Sequence, residues 1–271
     1  MNKTNGTSYF AVFAALLLFL GFSGRALAGL SVSPGMIEMI AARGDEASGS
    51  CKVTNTGKEK THVTVEPEDW KKGADGKRGG SVSDWLTVKP KFLDLDPGKT
   101  GEFLYRVRVG PDAAGENTAQ IFFSEAAGGE TTQIHTRVGV ILYVAVRDSI
   151  RLDSEIVDFK MSAARDQDSS LVNAQVSVAN KGNVHIRPTG QVELYDKKGG
   201  FMLAAILATG WGILPGETYA YQGTGKGPAL KLGKYKAVAI IQYGKLFKQD
   251  KSYRKELFLE IGADGKVVSP R

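Results

Sequence analysis

Chemistry needs particular side chains at particular spacings, and this chain of 271 residues offers few of them. Its histidines, His62, His135 and His185, lie far apart, and Cys51 is its only thiol. A structural zinc site takes four Cys or His ligands, and a nucleophilic triad takes a base and an orienting acid beside the nucleophile. Neither pattern can be read from these positions, and no G-x-S-x-G elbow occurs. Gly98-Lys99-Thr100 has the ending of a phosphate-binding loop, but Leu93 stands where the first glycine is required and the segment leads into a strand, so it reads as a turn. The carboxylate pairs Asp94/Asp96 and Asp166/Asp168 fall in predicted loops with no partner acid. Gly73-Ala74-Asp75-Gly76-Lys77 and Gly262-Ala263-Asp264-Gly265-Lys266 share a pattern in which Gly and Lys occupy the places a calcium loop fills with oxygen ligands. Their Asp-Gly pairs predict type I′ hairpin turns instead. A structural, solvated or hydrogen-bonded role is expected for each histidine, and no enzyme, metal or cofactor is expected.

Two basic clusters remain. Lys71-Lys72 and Lys77-Arg78 flank the first Asp-Gly pair, and Lys245, Lys248, Lys251, Arg254 and Lys255 surround Phe247 and Tyr253. Cations interleaved with aromatics suit a nucleic-acid strand. An exported chain rarely meets that partner, and lysine on loops and edges also keeps a sheet soluble. No nucleic-acid partner is expected.

Export is written at the N-terminus. Lys3 precedes a 14-residue apolar run from Tyr9 to Phe22, followed by Arg25-Ala26-Leu27-Ala28-Gly29. A basic start, a short apolar run and a small-x-small site describe a secretory leader, whereas a membrane span needs about 20 apolar residues. Cleavage is expected after Ala28, with no integral membrane segment in the mature chain. Lys3 and Arg25 leave with the leader, so the net charge falls from +6 to +4, too mild an excess for a dedicated polyanion binder. Hydrophobics at 42% and charges at 24% exclude disorder. In the oxidising compartment that follows, Cys51 is predicted to be a buried small hydrophobe on a strand.

The elements that must position everything else are strands. Apolar segments rich in Val, Ile, Phe and Tyr are punctuated by Gly, Pro, Asn and Asp at the spacing of an all-β sandwich. The first series is read near Ile37–Ile40, Ser50–Thr54, Thr61–Glu66, Leu86–Leu95, Glu102–Val109, Asn117–Glu125 and Gln133–Val146. The second runs near Arg151–Met161, Leu171–Ala179, Gln191–Tyr195, Phe201–Leu207, Glu217–Gln222, Gly233–Tyr243 and Ser252–Ile261. Seven strands in each series predict two tandem immunoglobulin-like β-sandwich domains, at 29–147 and 148–262, after a leader at 1–28 and before a tail at 263–271. Arg147-Asp148-Ser149 is the predicted elbow. The halves echo one another: Pro97-Gly98 recurs as Pro215-Gly216, and Gly115 recurs as Gly233, both at an offset of 118. Asn55-Thr56-Gly57 and Asn180-Lys181-Gly182 each close an early strand.

One strand is unusually long. Gln133 to Val146 is 14 residues, against about five or six for a typical strand. One face carries Ile134, Thr136, Val138, Val140, Leu142, Val144 and Val146; the other carries His135, Arg137, Gly139, Ile141, Tyr143 and Ala145. A strand that outruns its own sandwich is either buried on both faces at the junction or lends an edge to another chain.

These landmarks resemble the periplasmic pilus-assembly chaperones, proteins of two immunoglobulin-like domains set at an angle. The similarity is carried by Val53-Thr54-Asn55, by Trp70 after the third strand, and by the segment from Val88 through Pro90 to Pro97-Gly98 with Arg106 beyond. It continues through Ile121-Phe122-Phe123-Ser124-Glu125 and the strand ending Thr136-Arg137-Val138-Gly139-Val140-Ile141-Leu142-Tyr143, covering most of residues 30–147. The resemblance implies a periplasmic chaperone-like protein that binds an exported pilus or surface-structure subunit by β-strand pairing. Thr132, Ile134, Thr136, Arg137 and Val138 are then the partner-binding candidates. Such chaperones also hold a subunit's terminal carboxylate with one basic residue on the first strand and another on the long last strand. Here Ser33-Pro34-Gly35-Met36-Ile37 contains no Lys or Arg, and Gly139 stands at the second position with Arg137 as the nearest substitute. The bulky donor positions correspond to Glu130, Thr132 and Ile134, of which only Ile134 is bulky. The alternative reading is a cell-envelope or surface binding module that uses its loops, including the 71–84 insertion.

Overall fold

The computed structural model describes residues 29–70, 82–129, 132–166, 168–210 and 212–268, with the side chains of 126–129 and 132–135 left out of that description. The leader, the first Asp-Gly pentapeptide and one of the two basic clusters lie outside the described residues. No described helix is long and apolar enough to cross a membrane.

Nine strands build the first sandwich: β1 (Leu30–Ser33), β2 (Met36–Ala41), β3 (Glu46–Asn55), β4 (Thr61–Asp69), β5 (Leu86–Lys89), β6 (Phe92–Leu95), β7 (Thr100–Arg108), β8 (Glu116–Gly129) and β9 (Thr132–Val146). One sheet has the order β1-β3-β7-β5 and the other β2-β9-β8-β4-β6. The expected single strand Leu86–Leu95 is in fact two strands in different sheets, β5 against β7 and β6 against β4. The chain passes between sheets at Pro90, and it does the same at Pro34 between β1 and β2. Proline has no N–H to give a ladder, so the strand ends there and a new one begins. Asp94 lies on β6 and Asp166 ends β10, so neither stands in the loop expected of it. Between the sheets, Val53, Phe103, Ile121, Phe123, Val140 and Leu142 are fully buried, with the Phe103 and Phe123 rings edge-on at 5.1 Å. Cys51 is buried in this core, as its alternation with Val53 predicts.

The second sandwich comprises β10 (Ser154–Asp166), β11 (Ser169–Asn180), β12 (Thr189–Asp196), β13 (Phe201–Leu207), β14 (Thr218–Pro228), β15 (Gly233–Tyr243), β16 (Lys251–Ile261) and β17 (Val267–Val268). Its strands hydrogen-bond into one continuous sheet, β10-β11-β14-β13-β12-β15-β16-β17, which folds over on itself around a common core. The fold-over is at the joint of β13 and β14, whose only paired positions are Ile206 with Thr224 and Leu207 with Gly223. Glycine is required there for space: a Cβ on Gly223 would lie 2.6 Å from the Ile206 carbonyl oxygen, and one on Gly225 would lie 2.4 Å from that of Ala204. The second Asp-Gly turn joins β16 to β17, but only Gly265 has positive φ. It is therefore not type I′, which needs positive φ at both central residues.

The internal echo is reproduced bond for bond. Asn55 donates from Nδ2 to the carbonyls of Glu59 and Leu95 and accepts from the Gly57 N–H. Asn180 donates to the carbonyls of Val184 and Ile213 and accepts from the Gly182 N–H. The Gly98 N–H donates to the Asn55 carbonyl and the Gly216 N–H to the Asn180 carbonyl, both at 2.9 Å. Each Pro-Gly pair forms the expected type II turn, with positive φ at Gly98 and Gly216.

Candidate functional site: an open strand edge beside the domain junction

β8 and β9 pair along their whole length, from Glu116 opposite Ala145 to Gly129 opposite Thr132. β4 covers the other side of β8 only between Ala119 and Glu125. Past Glu125, among the described residues, the ribbon therefore runs on with no strand but itself. The outer side of β9 is covered by parallel β2 only from Ile141 to Val146. Among the described residues, Thr132–Val140 has no strand on that side.

Backbone direction identifies which groups are open. The Ile141 N–H points outward to Gly35 O at 3.3 Å, while the Val146 N–H points inward to Gly115 O at 2.8 Å. Since successive residues of a strand direct N–H and C=O to opposite sides, Gln133, His135, Arg137 and Gly139 carry the outward groups. Thr132, Ile134, Thr136 and Val138 carry the inward ones, bonded to β8.

Side chains alternate on the other axis. Val138, Val140 and Leu142 belong to the core of the first sandwich, and Thr136, two residues before Val138, shares their face. Thr136 and Val138 are half-buried there, and the side chains of Thr132 and Ile134 lie outside the described residues. The opposite face holds Arg137. Its guanidinium sits 3.6 Å from the centre of the Phe122 ring, bonds the Glu68 carboxylate and lies 3.9 Å from Glu66. The same ring covers Gly139, where a Cβ would come within 2.9 Å of Phe122 Cε1. Arg137, expected as the nearest substitute for the missing carboxylate anchor, pairs here with acids on β4 while its side chain stays 42% exposed. It shares the face of Gly139, as parity requires.

Where the free edge ends, the two sandwiches meet. Tyr143 and Ala145, on the outer face of β9, are covered from the second sandwich, with Ala145, Val184 and Phe247 forming a small apolar cluster. His185 is buried between two carboxylates: Nδ1 lies 2.5 Å from Glu116 and Nε2 2.8 Å from Glu38. Its ring is tilted over Tyr143 at 4.3 Å, and Trp70 meets Tyr143 edge-on at 5.7 Å. Arg187 bonds Glu38 and donates to the Met36 sulfur at 2.8 Å. Burial alone would raise the Glu38 carboxyl, but the hydrogen bond and charge of Arg187, with His185, hold it below the ordinary range. Burial, then the Glu116 charge, pushes the Tyr143 phenol up to about 12. The backbone is tied as well, since the Gly115 N–H donates to Ser149 Oγ at 2.8 Å and Asn183 Nδ2 to Ser149 O at 2.7 Å.

Sequence reasoning missed this cluster. His185 and Arg187 share a face at a spacing of two, the one signal available, but their acids come from residues 38 and 116. The other histidine with described contacts, His62, bonds Asp94 at 2.7 Å on the exposed face of the first sandwich. Among the described residues no group of three His, Cys, Asp or Glu side chains is placed to hold a metal ion.

No family model and no curated protein matches the sequence. Among solved structures, the Pseudomonas aeruginosa CupB2 chaperone is 12% identical, covering 84% of this chain and 100% of its own at a TM-score of 0.40. The E. coli chaperone DraB is 16% identical over 84% of this chain and 96% of its own, at 0.41. The periplasmic chaperone SfaE is 11% identical over 89% and 97%, at 0.39. The open β9 edge, and not these likenesses, carries the functional reading that follows.

Proposed function

We propose that this protein is an exported, periplasmic chaperone-like binder that pairs one strand of an exported pilus or surface-structure subunit with the outer edge of β9. One observation carries the reading: Thr132–Val140 continues a fully paired strand yet has no strand on its outer side among the described residues. An incoming strand would bond the outward groups of Gln133, His135, Arg137 and Gly139, which supplies affinity with little demand on sequence. It would lay alternate side chains beside Thr132, Ile134, Thr136 and Val138 at the open end of the core, which supplies selectivity. Arg137 helps keep the β8–β9 ribbon in place through Phe122 and Glu68 and is a positioning residue in this reading.

Proline at an outward position tests the idea, because it deletes an edge N–H while leaving the β8 ladder whole. The variants Gln133→Pro and His135→Pro should keep their melting temperature within a few degrees and lose the exported protein that co-purifies from periplasm. Thr136→Pro, which removes an inward N–H, should destabilise the ribbon itself. An unchanged set of bound proteins in both outward variants would refute edge pairing, and retention of the protein on the cell surface after osmotic release would refute a free periplasmic role.

A further inference from the structure

Beside the junction lies a pocket of about 340 Å³ between the His185–Thr189 segment and the β15–β16 turn. Its wall is mainly apolar, with Ile186, Leu246 and Phe247 among the lining side chains. The turn is tightly wound, with bonds from Phe247 N–H and Gln249 N–H to Gly244 O and with Lys248 in the left-handed region at φ 54°. It presents Leu246, 41% exposed, to solvent and buries Phe247 against the first sandwich.

The charges at the rim do not balance. Arg187 is engaged by Glu38, and both nitrogens of His185 face carboxylates. Lys245 and Lys251 also line the pocket, have no ion-pair partner among the described residues, and are opposed by one acid, Asp250. Thr189 and Ser252 add hydroxyls. An enclosed apolar wall of this volume, with a few convergent polar groups, is what small-molecule sites are made of, and domain junctions are where they concentrate.

From the apolar wall and the two unpaired ammonium groups, we infer that this pocket binds a small amphipathic carboxylate, its alkyl or aryl part against Leu246 and Phe247 and its carboxylate between Lys245 and Lys251. The inference is independent of strand pairing on β9. Calorimetric titration of the mature protein with octanoate and with neutral octanamide tests it. Octanoate should bind saturably below millimolar concentration and octanamide at least about tenfold more weakly, roughly 1.4 kcal/mol. The double variant K245E/K251E, altered only at exposed side chains, should lose octanoate by a similar factor, and K248E, in the same turn but outside the lining, should not. Equal binding of the amide, unchanged binding in K245E/K251E, a comparable loss in K248E, or no saturable binding of octanoate would each overturn the assignment.

Discussion

Asn180 is 1% exposed, and its side chain satisfies three backbone groups: the carbonyls of Val184 and Ile213 and the N–H of Gly182. Replacing it with Ala leaves all three without that partner in a dry site. A buried polar group that loses its partner costs about 1–3 kcal/mol, and the three share one small volume, so Asn180→Ala should cost about 3–5 kcal/mol. Asn180→Asp is the sharper perturbation. It keeps the acceptor for Gly182 but sets carboxylate oxygen against two carbonyls, so at neutral pH it should be less stable than the Ala variant. A carboxyl held there binds its proton more readily folded than unfolded, so its penalty should shrink as pH falls, while that of the Ala variant should not. Guanidinium unfolding followed by circular dichroism at pH 7 and pH 4 measures both. Asn55 makes the matching set of bonds in the first sandwich and should behave alike. A cost below about 1 kcal/mol, or an Asp variant more stable than Ala at neutral pH, would refute the account.

Other consequences are as direct. Gly225→Val should lower the melting temperature by several degrees, because its Cβ would fall 2.4 Å from Ala204 O; overpacking of this kind costs roughly 1–3 kcal/mol. Glu38 holds its proton less readily in the folded protein than at the ordinary 4.5, so its contribution is complete above that value and is lost as pH falls through its lowered folded pKa. The melting-temperature gap between wild type and Glu38→Gln should therefore be widest near neutrality and close in acid, and a gap constant from neutral to acid pH would contradict the junction cluster. Cys51 is buried, and burial pushes its thiol up to about 11, so a maleimide at mildly alkaline pH should label it only after unfolding. Labelling of the native protein within minutes would count against that burial.

Much of the fold was legible because sandwich strands advertise themselves. Period-two alternation is a local property, and Cys51-x-Val53 or Val138-x-Val140-x-Leu142 names its buried face without a partner in view. Turn residues are local as well, so both Pro-Gly turns and both closing asparagines could be placed. What escaped were pairings in space. Leu86–Leu95 reads as one strand because nothing in its alternation reveals that Pro90 hands the chain to the other sheet. The strand expected to end at Gln222 runs on to Pro228, because glycines 223, 225 and 227 let β13 cross closely where the second sheet folds over.

The sequence by itself determined an all-β chain, two similar halves, a long last strand in the first half, and an absence of grouped catalytic residue types, since each follows from residue order at short range. Tertiary structure alone decided which stretch of that strand stays open. That depends on where β2, over a hundred residues away in sequence, starts its parallel pairing at Met36 opposite Ile141. It also decided that Arg137 faces Glu68 and that His185 joins Glu38 to Glu116. Charge and hydrogen-bond partners act over a few ångströms, and only the folded chain brings residues so distant in sequence to that range.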